Sequence, residues 1–183
     1  MKKILLVIFF INFNNYALSS VKENIINNLK NTNNFSFNFE QNINGKVEKG
    51  YCIIEYPKKI FCKYDKANNK VLVSNGKSLV IKTKSGSYYR YSIKSTPLNY
   101  ILDKNFLIKK IKDLKERVID NKFVNFTIFK DENEINIFFD IDSFNLIGWQ
   151  TLDVYQNLNI TFLSSLKKNK ILKKNTFKLP SIN

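Results

Sequence analysis

Phe35, Phe37 and Phe39 alternate with Ser36, Asn38 and Glu40. A period of two puts three rings on one side of an extended segment and three polar groups on the other, so the stretch is a strand with one apolar face. Further strand-like runs cover 47–56, 60–66, 70–74, 78–84 and 87–93, then 114–121, 123–130, 134–141, 145–155 and 158–166. Asn44-Gly45, Pro57, Asn68-Asn69, Asn75-Gly76 and Ser85-Gly86 mark breaks between them. Turn signals roughly every 8 to 12 residues suit antiparallel hairpins, not parallel strands joined by helices. The chain is therefore expected to be mainly β, with about eleven strands and two short helical segments.

The first helical segment is 20–31, where Val21, Ile25, Ile26 and Leu29 share a side and Lys22, Glu23 and Lys30 face away. The second starts at Thr96-Pro97-Leu98, with Thr96 suited to an N-cap and Pro97 to the first helical position. Leu98, Ile101 and Leu102 form its apolar stripe, and Phe106, Leu107 and Ile111 extend it. Two short helices are modest cover for so many one-faced strands. Either the sheet curls and fills its own interior, or it encloses an apolar cavity.

The start of the chain has the form of an export signal. Lys2 and Lys3 precede an unbroken apolar run from Ile4 to Ile11, and Ala17-Leu18-Ser19 places small residues for cleavage near Ser19. Eight apolar residues span about 12 Å as a helix, well short of the ~30 Å bilayer core. The expected organisation is a signal peptide over 1–19 and a single domain over 20–183, released into the periplasm. Cys52 lies far beyond the cleavage site, so no lipid anchor is expected at the new N-terminus.

The formal net charge is +15, of which Lys2 and Lys3 leave with the signal. The remaining lysines are scattered over strands and loops, which argues for general solubility and against nucleic acid as a partner. Lys167 to Lys174, around Ile171 and Leu172, is either a solvated segment over the sheet edge or a docking patch. Cys52 and Cys62 flank the Tyr56-Pro57-Lys58-Lys59 turn nearly opposite each other. Their parity fits a cross-strand disulfide or two buried thiols.

The chain has no histidine, which removes Ser-His-Asp and Cys-His catalysis and the common zinc sites. No nucleophile elbow or phosphate-binding glycine loop occurs. Asp140 and Asp142 read as a solvated strand end beside Ser143. No enzymatic activity and no cofactor or metal are expected. What the chain has in quantity is apolar surface, including 16 Phe, 9 Tyr and one Trp.

The order of motifs resembles the LolA family of outer-membrane lipoprotein carriers. The matching pieces begin with Phe39-Glu40-Gln41, Gly50, Tyr56-Pro57-Lys58-Lys59-Ile60-Phe61 and Tyr64-Asp65. They continue through the hairpin from Val71 to Leu79 around Asn75-Gly76, then Thr96-Pro97-Leu98 with Ile101-Leu102. Leu146-Ile147-Gly148-Trp149, Asp153, Asn157, Thr161, Asn169, Leu172 and Phe177-Lys178-Leu179-Pro180 complete the series.

The resemblance implies a half-open antiparallel β-barrel of eleven strands with helices as a lid. It implies acylated lipoproteins as cargo, taken from an ABC-type release complex in the inner membrane and passed to an acceptor lipoprotein on the outer membrane. It also implies a monomeric chaperone. A lipid- or lipoprotein-sensing module on the same half-barrel is the alternative. The expected lipid-binding residues are Phe35, Phe37, Phe39, Ile54, Ile60, Ile135, Ile137 and Phe139. The expected lid residues are Val21, Ile25 and Leu29 on the first helix and Leu98, Ile101 and Leu102 on the second. One position departs from the family: an arginine that helps hold the lid shut commonly stands where this chain has Tyr56, and Lys58 or Lys59 is the candidate substitute.

N-terminal sequencing of the protein recovered from the periplasm is expected to begin at Ser20. A chain that keeps Lys2 and Lys3 contradicts the signal reading.

Overall fold

The computed structural model describes residues 20–65, 69–131, 133–152 and 157–182. The expected signal over 1–19, Asn68 of the Asn68-Asn69 turn, Asp153, and the far ends of the 60–66 and 145–155 runs lie outside the described residues.

A single antiparallel sheet of eleven strands dominates the chain. Its first half is a meander of β1 (Asn34–Ile43), β2 (Lys46–Glu55), β3 (Lys59–Tyr64), β4 (Val71–Asn75), β5 (Ser78–Lys82) and β6 (Tyr88–Ser92). Its second half is β7 (Arg117–Ile119), β8 (Phe123–Lys130), β9 (Asn133–Asp140), β10 (Leu146–Leu152) and β11 (Leu158–Lys168). The order across the sheet is β6-β5-β4-β3-β2-β1-β11-β10-β9-β8-β7. The two meanders thus join through the first and last strands, and the unpaired edges, β6 and β7, are consecutive in sequence. The barrel is not closed by hydrogen bonds between those edges.

The period-two pattern becomes burial directly. Phe35, Phe37 and Phe39 are all buried while Asn38 and Glu40 face out. On the neighbouring strands Cys52, Ile54, Ile60, Cys62 and Tyr64 point to the same inner face, as do Phe126, Ile135, Ile137 and Phe139 on the second half. The hairpin between β1 and β2 turns at Asn44 (φ 50°) and Gly45 (φ 82°), two positive angles that match the twist of the strands they join. Cys52 pairs directly with Cys62 in the β2–β3 register, and the two sulfurs are bonded. Of the two arrangements their parity permits, the structure has the disulfide. Gly50, between the Phe39 ring and the backbone of β3, has no room for a side chain: a Cβ there would lie 2.1 Å from the Lys63 carbonyl oxygen and 2.8 Å from the ring.

Three helices cover the inner face: α1 (Val21–Lys30), α2 (Leu98–Ile101) and α3 (Lys104–Asp113). A short 3-10 turn over Ile93–Ser95 leads into α2. The helix α1 opens with a capping box, in which the Glu23 N–H donates to the Ser20 hydroxyl (3.2 Å) and the Ser20 N–H to the Glu23 carboxylate (3.1 Å). The single helical stripe expected from Thr96 to Ile111 is instead two helices. Asp103 leaves the helical region (φ −114°, ψ 92°) and its carboxylate accepts the Phe106 N–H at 3.1 Å, so it ends one helix and caps the next. Thr96 is not the N-cap; its hydroxyl turns back to donate to the Ile93 carbonyl (2.9 Å), and Pro97 holds the position before α2.

Because α3 runs on to Asp113, only Arg117–Ile119 of the strand expected over 114–121 remains to pair with β8. The basic tail after β11 is irregular apart from a turn at 174–177, where the Thr176 and Lys178 N–H groups donate to the Lys173 and Asn175 carbonyls. Asn169 anchors it by donating its N–H to the Asn34 carbonyl and its amide to the Asn31 carbonyl, both at 2.8 Å. Farther on, the Ser181 carbonyl accepts from Lys82 at 2.8 Å.

Two lysines join α1 to α3 at opposite ends. Lys22, in the first turn of α1, donates to the Leu114 carbonyl at the end of α3 (2.7 Å) and pairs with Glu116 (3.1 Å). Lys104, in the first turn of α3, donates to the Lys30 (3.2 Å) and Thr32 (2.9 Å) carbonyls at the end of α1. Each cation meets the partner helix where carbonyls lack intrahelical donors and the helix dipole is negative. Among the described residues, no helix is long and apolar enough to cross a membrane.

Gly50→Ala is expected to destabilise the fold by about 1–3 kcal/mol through overpacking against β3 and Phe39. A thermal melt unchanged from the parent contradicts the close approach.

Candidate functional site

Under α2 the inner face is not filled. A cavity of about 480 Å³ lies between the first meander, the β10–β11 pair and the lid. Its apolar wall includes Phe37, Phe39, Ile60, Leu72, Leu79, Ile81 and Trp149, with the Cys52–Cys62 disulfide among them. Pro97, Leu98 and Ile101 close it from the lid side. The rings are locked against each other: Phe37 meets Trp149 edge-on at 6.3 Å, and Phe39 meets Tyr64 edge-on at 4.9 Å. Among the described residues, none of the lining carries a charge, although the chain contains 30 lysines and arginines and 15 acidic residues. A site that excludes so common a class of side chain is built for an apolar occupant.

One end of the cavity is polar. Gln41, Tyr64, Thr151, Asn159 and Thr161 come there from four strands, β1, β3, β10 and β11. The Gln41 amide donates to Asn159 (3.0 Å) and Thr161 (3.4 Å), and its carbonyl accepts from the Tyr64 hydroxyl (3.3 Å). Burial pushes the Tyr64 hydroxyl pKa upward, with the Glu48 carboxylate adding to the effect, so it stays a neutral donor.

The sequence-expected residues divide between two regions. Phe37, Phe39 and Ile60 line the cavity, as do the lid residues Leu98 and Ile101. Phe35, Ile54, Ile135, Ile137 and Phe139 are equally buried but belong to the packed core rather than to the cavity lining. Ile25, Leu29 and Leu102 are buried in that core, and Val21 packs partly buried against it. Leu107 and Ile111 of α3 are fully buried there too. Reasoning from the sequence did not place the polar row of Thr151, Asn159 and Thr161; the signal lay in polar side chains on the otherwise apolar phase of β10 and β11.

The lid corner rests on the β2–β3 turn. The Lys58 N–H donates to the Leu102 carbonyl at 2.7 Å, and the Lys58 ammonium pairs with Asp103 at 3.4 Å. The Ser74 hydroxyl holds the same turn by donating to the Lys58 carbonyl (2.8 Å). Tyr56 is packed under the lid against Phe35, at 5.8 Å between rings, and burial raises its hydroxyl pKa. So Lys58 makes the polar contacts to the lid, while Tyr56 fills space. Lys59 turns away to Glu55 (3.3 Å) and stands 5.8 Å from the Phe177 ring.

Asp140 forms no pair with Asp142. It accepts the Ser143 N–H (2.7 Å) and hydroxyl (2.6 Å) in a surface turn, and those bonds hold its pKa below the usual carboxylate range. A second recess of about 600 Å³ lies outside, between the tail and the ends of β1–β4, lined by Lys59, Lys173, Lys174 and Lys178 among others. It is an open, mixed groove in which those lysines and Glu55 surround Leu172 and Phe177.

The chain adopts the fold of a conserved protein of Thermus thermophilus at 6% identity, with 88% of this chain and 92% of that one covered and a TM-score of 0.53. A LolA superfamily protein of Nitrosomonas europaea aligns over 87% of this chain and 96% of its own at 9% identity (TM-score 0.48). A MucA/MucB complex of Pseudomonas aeruginosa aligns over 87% of this chain and 60% of its own at 11% identity (TM-score 0.48). No curated protein matches by sequence. The family model for the outer membrane lipoprotein carrier protein LolA matches residues 30–180, from the end of α1 to the tail. With that match over most of its length and an unclosed eleven-stranded sheet under a helical lid, the chain belongs to the LolA family.

Proposed function

We propose that this protein is a periplasmic carrier that encloses the acyl chains of lipoproteins between the inner and outer membranes. The observation that carries this reading is the uncharged, mostly apolar cavity beneath a helical lid. Acyl chains in water cost about 0.8 kcal/mol per methylene, so one sixteen-carbon chain costs on the order of 12 kcal/mol. A carrier has to offset most of that and still release its cargo.

The lid provides the second property. Leu98 and Ile101 border the cavity, and Lys58 ties the corner after α2 to the sheet. Cargo that opens the lid gains acyl burial and loses those contacts, so its net affinity is the difference of the two. Closing the lid again helps expel the cargo. The partners on this reading are an ABC-type release complex, which supplies the lipoprotein, and an outer-membrane acceptor lipoprotein, which receives it. The protein works as a monomer, with the signal at 1–19 removed and a single domain over 20–183. The disulfide fits an oxidising compartment.

Purified protein mixed with membranes bearing a triacylated lipoprotein and its release complex is expected to yield a soluble one-to-one complex. Cargo that stays wholly in the membrane fraction contradicts the carrier reading. Lys58→Met removes the ion pair to Asp103 and is expected to speed amide exchange across Leu98–Asp113 several-fold with little change in the melting temperature. Unaltered exchange in that segment contradicts its role in holding the lid.

A further inference from the structure

The basic tail is a feature that the cavity does not use. After Asp153 the sequence has six lysines, from Lys167 to Lys178, and no acidic residue. Lys167, Lys170, Lys173, Lys174 and Lys178 form no ion pair with any described residue. Among them stands Ile171, which is 103% exposed, the most exposed large apolar side chain of the described residues. A lone exposed isoleucine is ordinary on a protein surface, but this one sits on a tethered backbone. Before it, the Asn169 side chain accepts the Asn33 N–H (2.8 Å) and the Asn34 side chain accepts the Lys170 N–H (3.0 Å). After it, Leu172 is half-buried in the wall of the outer groove, and the Thr176 hydroxyl donates to the Lys173 carbonyl (2.8 Å). The chain is tied down on both sides of a side chain that the rest of the protein leaves uncovered.

The charges around Ile171 narrow the kind of partner. Lys170, Lys173 and Lys174 flank it in the chain, and Lys173, Lys174 and Lys178 meet Lys59 around the groove beside it. Lys59 is paired with Glu55, so the tail lysines supply the excess positive charge. An aliphatic side chain presented among lysines matches an anionic bilayer. The ammonium groups meet phosphates at headgroup level, and the isoleucine enters the acyl boundary beneath them. An acidic peptide would use the lysines and the groove but leave Ile171 in water. The exposed side chain therefore favours the membrane.

We infer that the C-terminal tail is a membrane-contact site, which docks the protein on a bilayer rich in anionic phospholipid through its lysines and Ile171. The contact is peripheral and reversible, since it rests on one aliphatic side chain and on attractions that salt screens. It goes beyond the carrier reading and does not depend on it. Lys59 in the groove wall directly follows Lys58, which holds the lid corner, so the contact adjoins the turn on which the lid rests.

The test is flotation of the unaltered protein with vesicles of equal parts phosphatidylglycerol and phosphatidylcholine, and with vesicles of phosphatidylcholine alone. The protein is expected to float with the anionic vesicles only, and less so as salt rises. The double variant Lys173→Gln, Lys174→Gln is expected to bind them more weakly by over tenfold, at about fivefold per lysine near such a surface, and with a flatter salt dependence. Ile171→Ser is expected to cost about tenfold and to leave the salt dependence as it was. All these positions are exposed, so the melting temperature should not move. The pair Lys115→Gln, Lys122→Gln removes the same charge beside β7, at the far edge of the sheet, and is expected to leave affinity within about twofold. No binding to the anionic vesicles, equal binding to both kinds, or an equal loss from the β7 pair overturns the proposal. So does Ile171→Ser binding as tightly as the parent, or polyglutamate binding more tightly than the anionic vesicles, either of which assigns the lysines to an acidic polypeptide.

Discussion

An open sheet with one apolar face has to be covered, and in this chain most of the cover is the segment that joins the two sheet edges. The unpaired edges β6 and β7 are consecutive in sequence, so the segment between them must cross the mouth. That segment carries α2 and α3, while α1 arrives at the middle of the sheet through β1. Hydrophobic burial alone would hold such a cover without orienting it, since burial has no direction. The orientation comes from a few polar contacts: Lys22 and Lys104 fasten α1 and α3 end to end, and Lys58 fixes the corner between α2 and α3.

These contacts divide the interior. Beneath α1 and α3 the core is solid, with Ile25, Leu107, Ile111, Phe126, Ile135, Ile137 and Phe139 essentially without exposure. Beneath α2, a four-residue helix, cover is thin and the cavity remains. The arrangement gives one half with a packed core and one half with a cavity. The disulfide between β2 and β3 lies in the cavity wall, where it cross-links two neighbouring strands.

Much of this was legible in the sequence because a period of two is a strong local signal. The Phe35, Phe37 and Phe39 alternation, the glycine and proline breaks and the amphipathic stretch after Ser20 yield the eleven strands and the first helix. The register around the Tyr56-Pro57 turn brought Cys52 and Cys62 opposite each other but did not decide whether they bond. The split at Asp103 was not legible, because it depends on Lys58 receiving the Leu102 carbonyl from a turn more than forty residues away. The same limit applies to the candidate site. Phe35 and Phe37 are alike in sequence, and only the helix lying above each decides which one faces a cavity. Thr151 and Thr161 looked like ordinary strand residues until their pairing with Gln41 and Asn159 placed them on one wall.

Trp149 is the single tryptophan of the chain, lies in the cavity wall and is 5% exposed. Its emission therefore reports directly on whether an acyl chain reaches the interior. A titration with a triacylated lipopeptide brominated along its acyl chains should quench Trp149 fluorescence in a saturable manner, and the unbrominated lipopeptide should displace the quencher. Binding of the brominated lipopeptide with Trp149 emission unchanged would place the lipid elsewhere on the protein and contradict the lidded cavity as its site.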